Sequence, residues 1–348
     1  MSPYILTFIL FSLGLGTTIT FASSHWLLAW MGLEVNTLAI LPLMAQQHHP
    51  RAIEATTKYF IVQSAAAATM LFAGISNAWI GGQWHIQLSH YPVPTALAII
   101  ALCMKLGIAP FHAWLPEVLQ GLNLSTGLII STWQKLAPFI LLTQLHPNCM
   151  GGYAFLGLCS VMIGGWGGLD QTQLRKVLAY SSISHLGWMI VIVQPMPALA
   201  LLTLTTYIIM ASTTFMLFML TKSTTINMLA NSWTKSPLTT AATPLILLSL
   251  GGLPPMTGFV PKWMIMQELI LLDQTPTAVL IILAALISLY FYLRLSHLLS
   301  LLFPPNSPPG TITWRLPTLK STIPFAISAV TSICLLPLAP TMIALLEL

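Results

Sequence analysis

"GIAPFHAWLPE" (Gly107–Glu117) and "GLPPMTGFVPK" (Gly252–Lys262) decide the fold of this chain. Each opens on glycine, has a proline three residues on (Pro110, Pro255), and another six residues after that (Pro116, Pro261). Trp114 aligns with Phe259, and both stretches end on a charge, Glu117 and Lys262. Each follows a long apolar run, where a helix should continue. Glycine and proline interrupt it instead. Two unrelated kinks in a chain with 25 prolines would give the same pattern, so the surroundings of the two breaks have to decide.

Composition fixes the class. The chain has 348 residues, 56% hydrophobic and only 5% charged, with mean hydropathy +0.84. Soluble domains carry about 25% charged residues, so this is an integral membrane protein. Apolar runs of about 20 residues, enough to cross the hydrocarbon core, recur from end to end. No stretch is polar and long enough for a soluble domain. The first run, 4–21, lacks a basic flank and is followed by further spans, so it does not read as a signal peptide. The four cysteines (Cys103, Cys149, Cys159, Cys334) have no metal-binding spacing and read as small, buried and reduced. No dinucleotide or P-loop motif is present, which argues against a nucleotide site. A net charge of +5 in such a chain reports orientation rather than nucleic-acid binding.

The expected fold is an all-α polytopic membrane protein, a single integral membrane domain over 1–348. Eleven spans are expected at about 4–22, 25–45, 56–78, 93–117, 124–144, 150–168, 175–194, 196–221, 240–271, 276–300 and 323–345. The loops that follow even-numbered spans, with their flanks, hold Arg51, Lys58, Arg175, Lys176, Lys222, Lys235, Arg315 and Lys320. The odd-numbered loops hold no lysine or arginine. The positive-inside rule then puts the N-terminus and the even loops on the negative side, and the C-terminus opposite. Trp26, Trp79, Trp84, Trp233 and Trp314 lie near expected span ends, as interfacial tryptophans do. Spans one to five (1–146) and six to ten (147–301) form two five-helix units, each with a broken fourth member. A loop and final helix follow (302–348). Five is odd, so the units enter from opposite faces. That is an inverted repeat, an architecture that puts ion sites at broken helices. The glycines of "IGGWGGL" (163–169) read as close helix packing.

Four charges sit well inside expected spans, away from their ends: Glu34, Lys105, Lys135 and Lys262. Each costs about 2.5–3.5 kcal/mol at a helix centre. By contrast, Lys58 and Arg294 snorkel to the basic face, and Glu54 pairs with Lys58 at i,i+4. Desolvation drives a buried lysine toward its neutral form, and a nearby carboxylate drives it back. Glu34 opposite Lys105 would make such a switch. Lys135 and His185 would continue a proton relay, and Lys262 would close the row, with Ser131, Thr132, Ser184 and Thr257 holding waters between them. For His185 alone, a buried neutral histidine with one partner is an equally ordinary explanation.

"MGLEVNTLAILPLM" (31–44), "CMKLGIAPFHAWLPEV" (103–118), "WQKLAP" (133–138), "LRKVLAYSSISHLGW" (174–188) and "GGLPPMTGFVPKW" (251–263) resemble the antiporter-like subunits of respiratory complex I. The resemblance covers nearly the whole chain. It implies a core membrane-arm subunit of proton-translocating NADH:ubiquinone oxidoreductase in the mitochondrial inner membrane. The basic loops and the N-terminus would face the matrix, and the C-terminus the intermembrane space. It implies that Glu34 pairs with the first-repeat lysine, Lys105. Lys135 would be the central lysine, His185 would lie on the central polar axis, and Lys262 would be the second-repeat lysine. It further implies no cofactor in this chain. NADH, FMN, iron–sulfur clusters and ubiquinone belong to other subunits, and the partners are neighbouring membrane-arm subunits and lipids, with no nucleic acid. A stand-alone cation/proton antiporter and a passive scaffold are the rival readings.

Overall fold

A computed structural model describes residues 2–46, 49–87, 91–145, 150–234, 236–302 and 322–338, with isolated positions 341 and 344. The described residues are helical apart from turns and two isolated β-bridges, His25 with His85 and Gln173 with Thr225. Two compact units divide within one helix, Met1–Leu156 and Gly157–Leu348. Lys235, Arg315, Lys320, Cys149, Trp314 and the expected 302–320 loop lie outside the described residues.

In the first unit, α1 (Pro3–Ala22), α2 (Trp26–Met44) and α3 (Pro50–Gly81) are continuous. Then come α4 (Pro92–Leu106), α5 (Trp114–Gly121), α6 (Leu124–Ser131) and α7 (Trp133–Gln144). The helix α8 (Met150–Gly168) crosses the division between the units. The second unit continues with α9 (Leu174–Val193), α10 (Pro197–Thr221) and the short α11 (Ile226–Ala230). It ends with α12 (Pro237–Gly251), α13 (Phe259–Leu271), α14 (Thr275–His297) and α15 (Ile323–Cys334). Among the described residues, six helices are long and apolar enough by themselves to cross a membrane: α1, α2, α3, α9, α10, and α14 with its extension to Ser300. Large apolar side chains such as Phe8, Phe72 and Trp166 point outward, which suits a lipid surround.

Many of the prolines do not break helices. They start them, at the first or second helical position of α1, α3, α4, α10, α12, α14 and α15. There the missing N–H would be unpaired anyway and the fixed φ suits a helix. The two quoted stretches differ. Both open on glycine with positive φ, 75° at Gly107 and 78° at Gly252. In each, two successive amides bond back to one carbonyl. Gly107 N and Ile108 N reach Cys103 O at 2.9 and 3.0 Å. Gly252 N and Leu253 N reach Leu248 O at 3.1 and 3.4 Å. This is a glycine-capped helix end, and a non-helical turn then leads into the next short helix. Any residue with a Cβ would be strained at either glycine.

Small residues set the close helix crossings. A Cβ on Gly157 would lie 2.8 Å from Gly187 O, and one on Gly187 the same distance from Gly157 O. A Cβ on Gly164 would lie 2.7 Å from Ser184 N. Gly157, Gly164 and Gly167 therefore bring α8 against α9, and Gly165 and Gly168 bring it against α14, as expected for small-residue packing in lipid. In the first unit, Gly74 makes room for the Trp26 ring. That ring is buried, at 3% exposure, whereas Trp79 is 89% exposed.

A third interruption was not legible as one. The expected span at 124–144 divides into α6 and α7 at Thr132. The hydroxyls of Ser131 and Thr132 both bond to Leu128 O, at 3.0 and 2.7 Å. Such back-bonding competes with the helix ladder and bends it. Pro138, six residues later, donates no amide to the ladder.

Candidate functional site

Each unit has a cavity beside its broken helix. In the first unit Lys105 lies in the last turn of α4, and Lys135 in the first turn of α7. Both are buried, at 7% and 3% exposure. They line one cavity with Asn36, Thr37, Tyr59, Gln63 and Gln134. The open end of α4 is covered by side chains. Trp114 Nε1 donates to Met104 O at 3.0 Å, and Gln63 Nε2 approaches Lys105 O at 3.5 Å. Gln134 Nε2 donates to Asn36 O at 3.2 Å and joins α7 to α2.

Several buried polar atoms here have no hydrogen-bond partner among the described residues: Lys105 Nζ and both side-chain heteroatoms of Asn36. Buried polar groups are rarely left so unless water reaches them. Glu34 is half-buried on α2. Its carboxylate accepts from Thr37 Oγ1 at 3.1 Å, and its charge acts on Lys105. The two do not form a direct ion pair. Among the described residues, ion pairs join Lys58 to Glu54 and to Glu117, each at 2.8 Å.

In the second unit His185 on α9 and Lys262 in the first turn of α13 line one cavity with Trp188, Thr203, Thr206 and Met210. Lys262 Nζ turns back across the break and donates to Gly251 O at 2.8 Å. It also lies 5.9 Å from the centre of the Trp188 ring, a cation–π distance. The ammonium therefore sits at the C-terminal end of α12, where the helix dipole favours a cation. Lys105 reaches the corresponding end of α4 by its position in that helix. The two breaks thus hold a lysine at the carboxyl end of a half-helix by different routes.

Two descriptions of known families match the chain. "NADH:quinone oxidoreductase/Mrp antiporter, TM" covers residues 23–288. "NADH dehydrogenase subunit 2 C-terminus" covers residues 289–343. The NADH-ubiquinone oxidoreductase chain 2 of Tetraodon nigroviridis is 60% identical over 348 residues, the whole of both chains. That of Gadus morhua is 62% identical over the same length. The chain belongs to the NADH-ubiquinone oxidoreductase chain 2 family. A chain of respiratory complex I from Thermus thermophilus shares its fold, with TM-score 0.81 at 24% identity, over 98% of this chain and 80% of that one.

Within this chain 2 family member, Lys105 and Lys135 share the first cavity, and His185 and Lys262 share the second. Glu34 is beside the first rather than among its lining residues. Ser184 bonds to Ser181 O at 2.8 Å, and Thr257 bonds to Ser332 O. The cavity linings draw instead on Asn36, Gln63, Gln134, Tyr59, Thr203 and Thr206. Amides and a phenol within apolar helices were the available signal. Their helix faces could not be ranked while every helix was apolar all round.

Proposed function

We propose that this chain is a core membrane-arm subunit of NADH:ubiquinone oxidoreductase and takes part in redox-driven proton translocation. Its full-length likeness to chain 2 relatives carries that reading, and the buried lysines beside helix breaks supply the chemistry. Glu34, Lys105, Lys135, His185 and Lys262 form the proton relay. The break opens backbone to water, water reaches a buried lysine, and the lysine exchanges a proton when the field around it changes. The redox groups and ubiquinone lie in other subunits. Energy arrives from them as an electrostatic or conformational signal, through neighbouring membrane-arm subunits. The chain crosses the mitochondrial inner membrane eleven times, as two oppositely inserted five-helix units and a final helix.

Co-purification tests the assembly directly. The chain is expected in a very large complex with NADH–quinone activity. Recovery as a free chain with Na⁺-driven proton flux after reconstitution would instead favour an antiporter, a reading kept open by the antiporter in the family description.

Orientation follows from the basic loops. In mitoplasts, the His48–Arg51 and 302–320 loops are expected to resist protease added from outside, with Leu348 accessible. Cleavage of both loops from the outer face would overturn the span count.

Glu34→Gln is expected to slow coupled turnover mildly, by less than about tenfold, because it removes a charge acting on Lys105 but leaves every lysine in place. Turnover and pumping in the assembled enzyme measure this. A loss as complete as that of a lysine variant would make Glu34 a carrier of protons rather than a source of field.

A further inference from the structure

One cluster of buried hydroxyls in the second unit is not used by the relay above. Tyr207 on α10 is 2% exposed and its ring lies 5.5 Å from that of His185. Its hydroxyl shares a hydrogen bond with Ser182. Tyr292 on α14 is 1% exposed and close enough to Tyr207 for the two to interact electrostatically. The Tyr292 hydroxyl is directed at Ser181, yet meets no partner at ordinary hydrogen-bond geometry among the described residues. A buried hydroxyl in that position is normally held by an internal water. Next to the cluster, Gly167 lies against the Tyr180 ring and Gly168 against the Phe291 ring.

The cluster also has a direction. Ser181 and Ser182 lie about two turns, some 10 Å, from Arg175 near the start of α9. Tyr292 lies two residues before Arg294, near the end of α14. Lys222 caps the end of α10. These ends are tied together. Leu174 N bonds to Thr224 O at 3.0 Å, Ile226 N to Thr172 O at 3.2 Å, and an Arg294 guanidinium nitrogen to Leu169 O at 2.7 Å. Ser181, Ser182 and Tyr292 therefore lie between His185 and the basic end of this unit, and Tyr207 joins Ser182 to His185.

We propose that Tyr207, Tyr292, Ser181 and Ser182, joined by internal water, carry protons between the basic end of the second unit and His185. Each hydroxyl oxygen accepts a proton from one side and releases its own to the other, so none is left ionised. The imidazole of His185 gains one proton and water at the basic end loses one. The path rests on the relay reading of His185.

The test uses the assembled enzyme in sealed membrane vesicles, with Tyr292→Phe, Tyr207→Phe and Lys135→Met compared. Phenylalanine keeps the ring and removes only the hydroxyl. Tyr292→Phe is expected to slow NADH-driven proton uptake at least about threefold and to raise the solvent deuterium isotope effect. The loss falls short of the 10²–10⁴-fold typical of a removed general acid or base, because water can occupy the place of the hydroxyl. Unchanged rate and isotope effect in both tyrosine variants, with Lys135→Met slow, would overturn the path and leave the relay standing. Unchanged behaviour in all three would overturn the relay itself. If Tyr292→Phe lowers the yield of complex, Ser182→Ala replaces it with the same readout and the same expected loss, since that hydroxyl is otherwise bonded only within its own helix, to Ala179 O at 2.8 Å.

Discussion

Gly258→Val is expected to abolish accumulation of the assembled complex. Gly258 caps the start of α13 and packs directly on the end of α12. A Cβ there would lie 1.9 Å from Ser249 O, a backbone atom that no side-chain rotation can move. Ser249 O already accepts from Gly252 N at 3.1 Å. To make room, α13 must move away from α12 by more than an ångström. That separates Lys262 Nζ from Gly251 O and leaves the last carbonyl of α12 unpaired, at about 1–3 kcal/mol. Overpacking itself adds about 1–3 kcal/mol. Against a total stability of about 5–15 kcal/mol the sum is a large fraction. Gly14→Ala is the control, because nothing lies within 4 Å of its Cβ position. Native gels of the two variants check this. Normal yield and normal heat resistance with valine at 258 would mean that the close approach is dispensable.

The two breaks were legible because glycine with positive φ and proline leave few alternatives to interrupting a helix. The alignment of their last positions was less informative. Glu117 turns outward to Lys58 at 2.8 Å, whereas Lys262 turns back to Gly251 O. The lysine that serves the first break precedes it, at 105, where the second unit has Leu250 in the equivalent place. The Glu54–Lys58 pair was readable from i,i+4 spacing; its third member, 59 residues from Lys58, was not. The interruption at Thr132 was missed because serine and threonine permit a helix and bend it only when their hydroxyls turn back on it. Asn36 and Gln134 were missed for a related reason. Composition marks a polar residue in an apolar helix, but only tertiary contact shows that two such residues meet, as Gln134 does with Asn36 O. Tyr207 gave no signal of its own beyond that of an aromatic in a buried helix.

Lys135→Met is expected to keep the complex assembled and to slow NADH oxidation coupled to proton transfer by about tenfold or more. Methionine keeps a stem of similar length and removes a charge that costs about 2.5–3.5 kcal/mol inside a membrane. Lys135 is 3% exposed and borders the cavity that also holds Lys105. On the relay reading its loss removes a proton-exchanging group from that cavity, while the hydrogen bond from the Gln134 side-chain amide to Asn36 O, which joins α7 to α2, stays in place. Structure should therefore survive where transport does not. A merely structural lysine would show the reverse pattern, with yield reduced and each surviving complex fully active.

The most direct measurement is the rate of NADH oxidation and the number of protons moved per electron, taken together on Lys135→Met enzyme in sealed vesicles and normalised to assembled complex. The relay account predicts normal assembly with slowed oxidation, and with proton transfer through this subunit lost. Normal assembly with an unaltered rate and an unaltered proton-to-electron ratio would contradict it, and would leave the chain a scaffold between the pumping parts of the complex.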